Sequence, residues 1–351
     1  MQISKYSFVT MACYLGFLLL SGCLDITTTN QVKSDGSIIR TITFTGDSAE
    51  VSAGNFPVEL DSSWSRSIAK VKKETYALTA TRTFQNVEEM NGALKGTFGR
   101  TLQYRIELNK SFRWFFTVYR YRETNIPFAQ YTAIPLTEFL SQEEIDWLIA
   151  RLLVEDPKKE FTTRGDSLAF ESIIPRVQEC EWRNRFDPVF SAFLDGVKTL
   201  NNPSLTNSMV EPLKESLYKR SAKALDKMKI DTVRFIFAGV LRNPLVDKAW
   251  QANAPSFAEI KRKLEFESKT NSHKYVTSVV MPGLITGSNA RRVQGNMTTW
   301  EDFKEYAHHF EYTMWVESQQ VNWWAVIIAL IVVVSLTTGL VFSLLRRKSR
   351  A

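Results

Sequence analysis

Alternating apolar and polar positions near the start of the chain predict a β-hairpin. Residues 24–46 contain two such runs, and Asp35-Gly36 lies between them. An Asp-Gly pair flanked by alternating apolar residues is the strongest short-range signal for a hairpin turn. We therefore expect antiparallel strands on both sides of Gly36.

Two further stretches with strand composition follow. Residues 64–85 are rich in Thr and Val around Lys72-Lys73, and we expect Asn109-Lys110-Ser111 to divide residues 100–124 into two strands. Aromatic residues cluster in the last stretch, which is typical of a sheet core, whereas a ligand-lining surface is the alternative. The candidates for that surface are Trp114, Phe116 and Tyr119.

A periodicity of three to four residues replaces the alternation over residues 135–268 and predicts a helical segment. Within it, the apolar positions predict helices from Val177 to Leu200 and from Met209 to Met228. Two capping boxes, each a serine with a glutamate three residues later, predict helix starts. The boxes are Ser141-Gln142-Glu143-Glu144 and Ser256-Phe257-Ala258-Glu259.

Strand patterns return after this segment, at Lys274 to Met281, around Met297 to Trp300 and at Phe310 to Val316. Strands, then helices, then strands again are typical of an α+β fold. We expect a β-rich exported domain that carries a largely helical insertion. The expected boundaries are 23–134 for the first β-rich part, 135–268 for the helical insertion or subdomain, and 269–321 for the strands that complete the β-rich domain.

The first 22 residues have the pattern of a lipoprotein signal peptide. One cation, Lys5, precedes an apolar run from Phe8 to Leu20, as in a secretory leader. The next residues, Leu20-Ser21-Gly22-Cys23, resemble the bacterial lipobox. We expect Cys23 to become the first residue of the mature protein and to carry a diacylglyceryl group with palmitate chains. An uncleaved anchor helix with a chance cysteine is the alternative.

A second membrane signal lies near the other end of the chain. Residues Trp323 to Leu345 carry no charge over 23 residues. A helix of that length spans roughly 34 Å, against a hydrocarbon core of about 30 Å. We therefore expect a transmembrane helix over residues 322–345 and not a buried core helix.

The residues that flank this segment indicate its orientation. Trp323 and Trp324 suit the membrane interface, and the basic tail at residues 346–351 suits the cytoplasmic side under the positive-inside rule. The body should then lie on the exported side. The cations of the tail are Arg346, Arg347, Lys348 and Arg350.

Two anchors in one membrane would constrain the strands next to them. Almost no linker separates Cys23 from the first predicted strand, and few residues separate the last strand from Trp323. If both anchors lie in one membrane, the first strand leaves the bilayer and the last returns to it. We expect the two strands to run in opposite directions with their membrane ends close together. Residues 24 and 321 at opposite poles would instead favour two membranes.

Composition argues against several functional classes. The net charge of +7 falls to +2 for residues 24–321, which hold 39 basic and 37 acidic residues, so we expect no nucleic-acid binding. Cys180 is the one cysteine of the body, which excludes a disulfide framework, and we expect a buried, inert thiol. His273, His308 and His309 lack the spacing of a zinc site.

Catalytic motifs are also missing from the sequence. No nucleophile elbow, Walker loop or dinucleotide fingerprint occurs. We therefore expect no enzyme, no catalytic residue, no metal and no cofactor.

Two stretches together match the pattern of a known family. One runs from Cys23 through the turn at Asp35-Gly36. The other contains Met281-Pro282-Gly283-Leu284-Ile285, Asn289-Ala290, Gly295-Asn296 and Trp300. They resemble the LppM-type family of bacterial envelope lipoproteins, although Ala290 stands where that pattern has glycine. The resemblance implies an envelope protein able to hold a lipid or lipid-like ligand, and it carries over no catalytic residue.

These observations predict a membrane-anchored, non-catalytic bacterial envelope lipoprotein whose body binds a lipid or amphiphile at the membrane surface. The alternative is a scaffold or tether that recruits envelope proteins through the helical segment at residues 135–268. Such a tether would bridge two membranes if the lipid on Cys23 were sorted to a second one.

Replacing Cys23 by Ser should abolish the covalent lipid, because a serine hydroxyl offers no thiol for diacylglyceryl transfer. The intact mass of the protein extracted from its own membrane checks this expectation. The wild-type chain should carry acyl groups beyond the mass of residues 23–351, and the variant should carry none. An unacylated wild-type chain would show that the lipobox assignment is wrong.

Overall fold

The predicted hairpin is confirmed in the computed structural model, which describes residues 24–54, 56–96, 101–127, 133–154, 164–227, 229–301 and 311–348. Strand β1 (Asp25–Val32) pairs antiparallel with β2 (Ile38–Asp47). Gly36 adopts a φ of 101° in the turn, a left-handed value that glycine reaches without steric cost. A short helix, α1 (Ser48–Ala53), follows β2.

The second β-rich stretch is also confirmed, as β3 (Ser65–Lys72) and β4 (Thr75–Phe84). Helix α2 (Val87–Leu94) follows β4, and its first turn is capped by Asn86, whose side chain accepts from the backbone of Glu89. The third stretch forms β5 (Gln103–Arg113) and β6 (Phe116–Ile126).

The expected break at Asn109-Lys110-Ser111 is wrong. Strand β5 continues through these residues, and the two-residue turn lies at Trp114 and Phe115. The reason is the place of β5 at the edge of its sheet. The side chains of Asn109 and Lys110 are exposed, and polar and charged residues are common on strands that lack a neighbour on one side.

The last five strands follow the helical segment. They are β7 (Lys274–Val280), β8 (Leu284–Ser288), β9 (Arg292–Gln294), β10 (Met297–Glu301) and β11 (Tyr312–Val321). The predicted strands at Lys274 and Met297 are confirmed. The strand expected from Phe310 to Val316 extends five residues further, to Val321, and Phe310 itself lies outside the described residues.

The described strands form two sheets that pack on one another. The order of the larger sheet is β3-β4-β2-β1-β7-β10-β9, and that of the smaller is β5-β6-β11-β8. Inward-facing side chains of both sheets, among them Ile42, Phe44, Tyr121 and Met314, form one core. Strands β1 and β7 pair in parallel, whereas the other pairs of described strands are antiparallel.

Contacts between the sheets fix the direction of β1 relative to the smaller sheet. Asn30 donates to Glu123 of β6 at 2.8 Å, and the Tyr119 hydroxyl donates to the backbone oxygen of Ser34 at 2.9 Å. Residue numbers therefore rise along β1 where they fall along β6. Because β11 is also antiparallel to β6, β1 and β11 run in the same direction.

The expectation that the first and last strands run in opposite directions is therefore wrong. Leu24 and Val321 lie at opposite ends of the sandwich. The cause is the parallel pairing with β7, which places Asp25 beside Lys274. The other end of β7 lies near the end of β11, since the Ser318 hydroxyl donates to the Pro282 carbonyl at 2.8 Å.

Helices occupy the chain between β6 and β7. They are α3 (Gln142–Val154), α4 (Arg164–Leu200), α5 (Asn207–Val210), α6 (Lys214–Asp226), α7 (Ile230–Leu241), α8 (Val246–Ala252) and α9 (Ala254–Ser272). Their buried side chains form two cores, separate from that of the sandwich. The α+β fold class is confirmed, and the division of the chain into a β-rich domain and a helical insertion or subdomain at residues 135–268 stays a prediction.

The two predicted capping boxes have different outcomes. The first is confirmed, since the backbone of Ser141 donates to the Glu144 carboxylate at 2.9 Å and that of Glu144 donates to the Ser141 hydroxyl at 3.3 Å. The second is wrong, because α9 begins two residues before Ser256. The Ser256 hydroxyl instead donates to the side chain of Asn253 at 2.8 Å.

Helix α10 (Trp323–Lys348) follows β11 after a single residue. Over Trp323–Phe342 it is the one helix of the described chain that is long and apolar enough to cross a membrane, by length and composition. Nearly all of this stretch is exposed, which is unlike a core helix of a globular domain.

A buried ion pair connects the two sheets at the centre of the sandwich. Nη1 of Arg40 on β2 lies 3.0 Å from Oε1 of Glu123 on β6, and each side chain is 1% exposed. The Tyr121 hydroxyl also donates to Glu123, at 2.6 Å. Burial alone would lower the pKa of Arg40, but the Glu123 carboxylate and neighbouring tyrosines raise it. The Arg40 guanidinium therefore stays charged, and its contact with Glu123 joins the two sheets.

Replacing Arg40 by Met leaves the Glu123 carboxylate buried without its partner, and we expect the free energy of unfolding to fall by about 3–5 kcal/mol. Denaturant unfolding of the detergent-solubilised chain, followed by tryptophan fluorescence, measures this loss. The double variant Arg40→Met, Glu123→Leu should recover much of it, because no charge remains buried. A double variant as unstable as the single one would contradict this assignment.

Candidate functional site

The candidate site is built around the turn between β5 and β6. Trp114, the first residue of this turn, has a φ of 30°, in a left-handed region that few residues other than Gly, Asn and Asp adopt. Such a conformation costs on the order of 1–3 kcal/mol and persists only where the surroundings hold it. The surroundings of Trp114 belong to the start of α10.

Asn322 joins this turn to α10. Its backbone N–H donates to the Phe115 carbonyl at 2.8 Å, and its side chain donates to the Trp114 carbonyl at 2.9 Å. The Thr117 hydroxyl donates to Oδ1 of Asn322 at 2.9 Å. The Asn322 carbonyl then accepts from the N–H of Ala325, in the first turn of α10, at 2.9 Å. One residue therefore connects the hairpin and the helix without a flexible linker.

Three aromatic rings pack together at this junction. The rings of Phe112 and Trp324 are stacked with centroids 6.0 Å apart. Trp114 meets Phe112 and Trp324 edge-on, at 6.5 and 6.1 Å. Aromatic pairs in such geometries contribute about 0.5–1.5 kcal/mol each beyond the burial of area. These contacts offset the strain at Trp114.

Six exposed aromatic side chains surround the junction, and we name them the aromatic collar. Their exposed fractions run from 41% for Phe115 to 69% for Trp323. Val321, which pairs with Phe116 across the strands, is also exposed. A contiguous exposed apolar patch marks an interaction surface. The collar consists of Phe112, Trp114, Phe115, Phe116, Trp323 and Trp324.

The three aromatic residues predicted to line a ligand site lie in two different places. Trp114 and Phe116 belong to the collar, whereas Tyr119 faces the larger sheet from inside the sandwich. The Tyr119 hydroxyl lies 3.2 Å from Oε1 of Gln320, in addition to its bond to Ser34, and burial raises the pKa of Tyr119. A ligand-lining role for the three stays a prediction.

Sequence reasoning missed Phe112, Phe115 and Asn322 as parts of this site. One signal for the collar was available, because Trp114, Phe115 and Phe116 are consecutive. Successive residues of a strand face opposite sides, so three aromatic residues in a row cannot all face one core. No pattern in the sequence indicates the hydrogen bonds of Asn322.

The predicted membrane-anchor residues lie at the two ends of α10. Trp323 and Trp324 are its first two residues, and its backbone runs through Arg346, Arg347 and Lys348 to its last residue. A helix of this length covers roughly 39 Å, enough to carry the aromatic end and the basic end to the two faces of a bilayer.

The opposite end of the sandwich holds the start of β1. The Leu24 side chain is buried, its N–H donates to Nδ1 of His273 at 3.2 Å, and its carbonyl accepts from the N–H of Lys274 at 3.0 Å. Cys23 and the rest of the lipobox lie outside the described residues. The residue that follows Cys23 is nevertheless fixed where α9 passes into β7.

The distance between the two ends follows from the strand register. Leu24 lies six residues before Asn30, which contacts Glu123, and Glu123 pairs with Met314, nine residues before Trp323. At about 3.3 Å per residue, the stretches from Leu24 to Asn30 and from Met314 to Val321, where β11 ends, cover roughly 40 Å.

The ionisable groups of the described chain show no metal centre and one buried thiol. Within the described ranges, no group of three or more His, Cys, Asp or Glu residues could hold a metal ion. His308 and His309 lie outside those ranges. The expected burial of Cys180 is confirmed, and burial raises the pKa of its thiol to about 11. Such a thiol is a poor nucleophile at neutral pH.

Comparisons with known proteins add one distant likeness. No family model and no curated protein matches the chain. The NMR structure of the folded domain of the Mycobacterium tuberculosis LppM protein matches with 7% sequence identity, over 85% of this chain and 91% of that chain, at a TM-score of 0.30. A likeness this low supports no argument about shared fold or function, so the LppM-type resemblance rests on the sequence motifs alone.

Proposed function

We propose that this chain is a membrane-anchored scaffold that holds a helical module at a fixed distance from the bilayer, where the module binds another envelope component. One observation carries this proposal. The membrane-helix candidate α10 and the helical module α3–α9 leave the β-sandwich at opposite ends. The sandwich between them is then a spacer.

The ends of the strands support this assignment. Strand β6 ends at Ile126 and β7 begins at Lys274, and these positions, from which the chain enters and leaves the module, lie at the Leu24 end. Val321 and Trp323 lie at the other end. The buried Arg40–Glu123 pair and the Asn322 junction hold spacer and helix as one rigid unit.

The position of Leu24 limits what a lipid on Cys23, the residue before it, could reach. An acyl chain reaches through one leaflet, or about half of the roughly 30 Å hydrocarbon core. This is shorter than the roughly 40 Å between Leu24 and Val321 along the strands. A lipid on Cys23 would therefore reach a second membrane surface or a partner above the sandwich. This geometry supports a tether that bridges two membranes and argues against two anchors in one bilayer.

Lipid or amphiphile binding within the body remains a prediction. The inward-facing residues of both sheets pack against each other as one core, and the six exposed aromatic residues of the collar lie at the end of the sandwich where α10 begins. The lipid best placed to contact them is that of the bilayer itself.

Helix α7 offers a surface with which to test partner binding. Phe235 on its outer face is 65% exposed, and the guanidinium of Arg234 lies 5.0 Å from its ring centroid. Val233 and Phe237 of the same helix are fully buried in the core of the module. An exposed aromatic residue beside an arginine has the composition typical of interface hot spots.

A photo-crosslinking residue at Phe235, in the full chain in its own membrane, should yield a discrete protein adduct. The variant Phe235→Asp should reduce capture of the same partner by about 30-fold, since truncation of a hot-spot residue costs about 2 kcal/mol or more. Mass spectrometry of the adduct and of the co-purified proteins measures both effects.

Matched positions serve as controls. Ile68 on β3 is 61% exposed and lies on the sandwich, so a cross-linker there should give no such adduct. Thr232→Asp, an exposed change on α7 itself, tests the effect of charge alone on that helix. Met209 on α5 and Lys219 on α6 are exposed positions on other helices of the module. The scaffold proposal fails if cross-linkers at Phe235, Met209 and Lys219 give no more adduct than a cross-linker at Ile68 does.

A further inference from the structure

The aromatic collar lies at the level at which α10 begins. Trp324, its second residue, is stacked on Phe112, and Trp114 contacts both rings. Because Asn322 binds the turn and the helix start together, the hairpin tip cannot swing away from this level. Whatever surrounds the first turn of α10 therefore also surrounds the tip.

The composition of the tip suits one environment in particular. Trp and other aromatic residues are enriched where a membrane meets water, because their rings pack against acyl chains while the surroundings stay polar. A two-residue hairpin usually has glycine or asparagine where its φ is positive. This chain has Trp114 at that position instead. The geometry of the turn does not call for a tryptophan, so its presence indicates that the aromatic ring is needed there.

Cations lie beside the collar. Arg113 is exposed and comes directly before the turn, and Lys110 lies on the same strand, where its ammonium donates to the Ser34 carbonyl at 2.6 Å. Lys33, in the turn between β1 and β2, is exposed at the same end. Basic residues next to an apolar membrane contact are attracted to anionic lipid headgroups.

We propose that the β5–β6 hairpin is a second membrane contact, with the aromatic collar in the headgroup region of the same bilayer that α10 crosses. The exposed apolar surface is continuous from Phe116 and Val321 to Trp323 and the exposed side chains of α10. This continuity identifies the occupant as lipid. One helix alone would let the body tilt, whereas a helix and a hairpin joined by Asn322 hold the strands at one angle to the membrane.

A fluorescent label at the turn tests this contact. Phe115→Cys in the full chain places a thiol at the tip, and its backbone bond to Asn322 is unchanged. The buried Cys180 thiol has a raised pKa and should not compete for the label. The labelled protein is reconstituted in vesicles of phosphatidylcholine and phosphatidylglycerol whose acyl chains carry a doxyl quencher close to the headgroup.

The control label is on Val71→Cys, an exposed apolar position towards the far end of β3. We expect blue-shifted emission and strong quenching for the label on Phe115→Cys, and neither effect for the label on Val71→Cys. Phe116→Cys provides a second site in the collar if the first variant folds poorly by circular dichroism. Emission at both collar sites that is unquenched by lipid, as for a tip in water or against a second copy of the chain, would overturn the proposal.

Discussion

The parallel pairing of β1 with β7 determines which parts of the chain lie at each end of the sandwich. It places Asp25 beside Lys274, so the start of the folded body and the return from the helical module share one end of the sandwich. Parallel strands need a long crossover connection, and here that connection runs through β2–β6 and the helical module. Strand β11 runs in the same direction as β1. It therefore ends at the end of the sandwich opposite Asp25, and α10 begins there.

The two ends stay at a fixed distance from each other only if the sandwich between them is rigid. The Arg40–Glu123 pair joins β2 to β6 across the core, and Asn30 donates to the same carboxylate. Removing one partner of a buried pair leaves an uncompensated charge, so the pair resists sliding of one sheet over the other. At the end where α10 begins, Asn322 extends this rigidity from β6 into the first turn of α10.

Local chemistry in the sequence predicted the local structure. Asp35-Gly36 identified its hairpin, and Ser141 with Glu144 identified a helix start, because each signal acts within a few residues. The failures needed information from further away. Ser256 has the spacing of a cap, but the helix already begins at Ala254, and the Asn253 carbonyl accepts from the N–H groups of Ser256 and Phe257. The partnership of β1 with β7 joins residues about 250 apart, and no local pattern specifies the strand direction that results.

In the aromatic stretch of β5 and β6, the role of an aromatic side chain depends on where the fold places it. In isolation, Trp114, Phe116 and Tyr119 are typical of a sheet core, and a ligand-lining surface is the alternative. Tyr119 is buried because it faces the larger sheet, and Trp114 is exposed because the strand turns there. In the proposed membrane contact, side chains that cost free energy in water would become favourable at the bilayer interface. The strained turn, the exposed rings and the helix that follows Asn322 therefore have a common explanation, which none of them has separately.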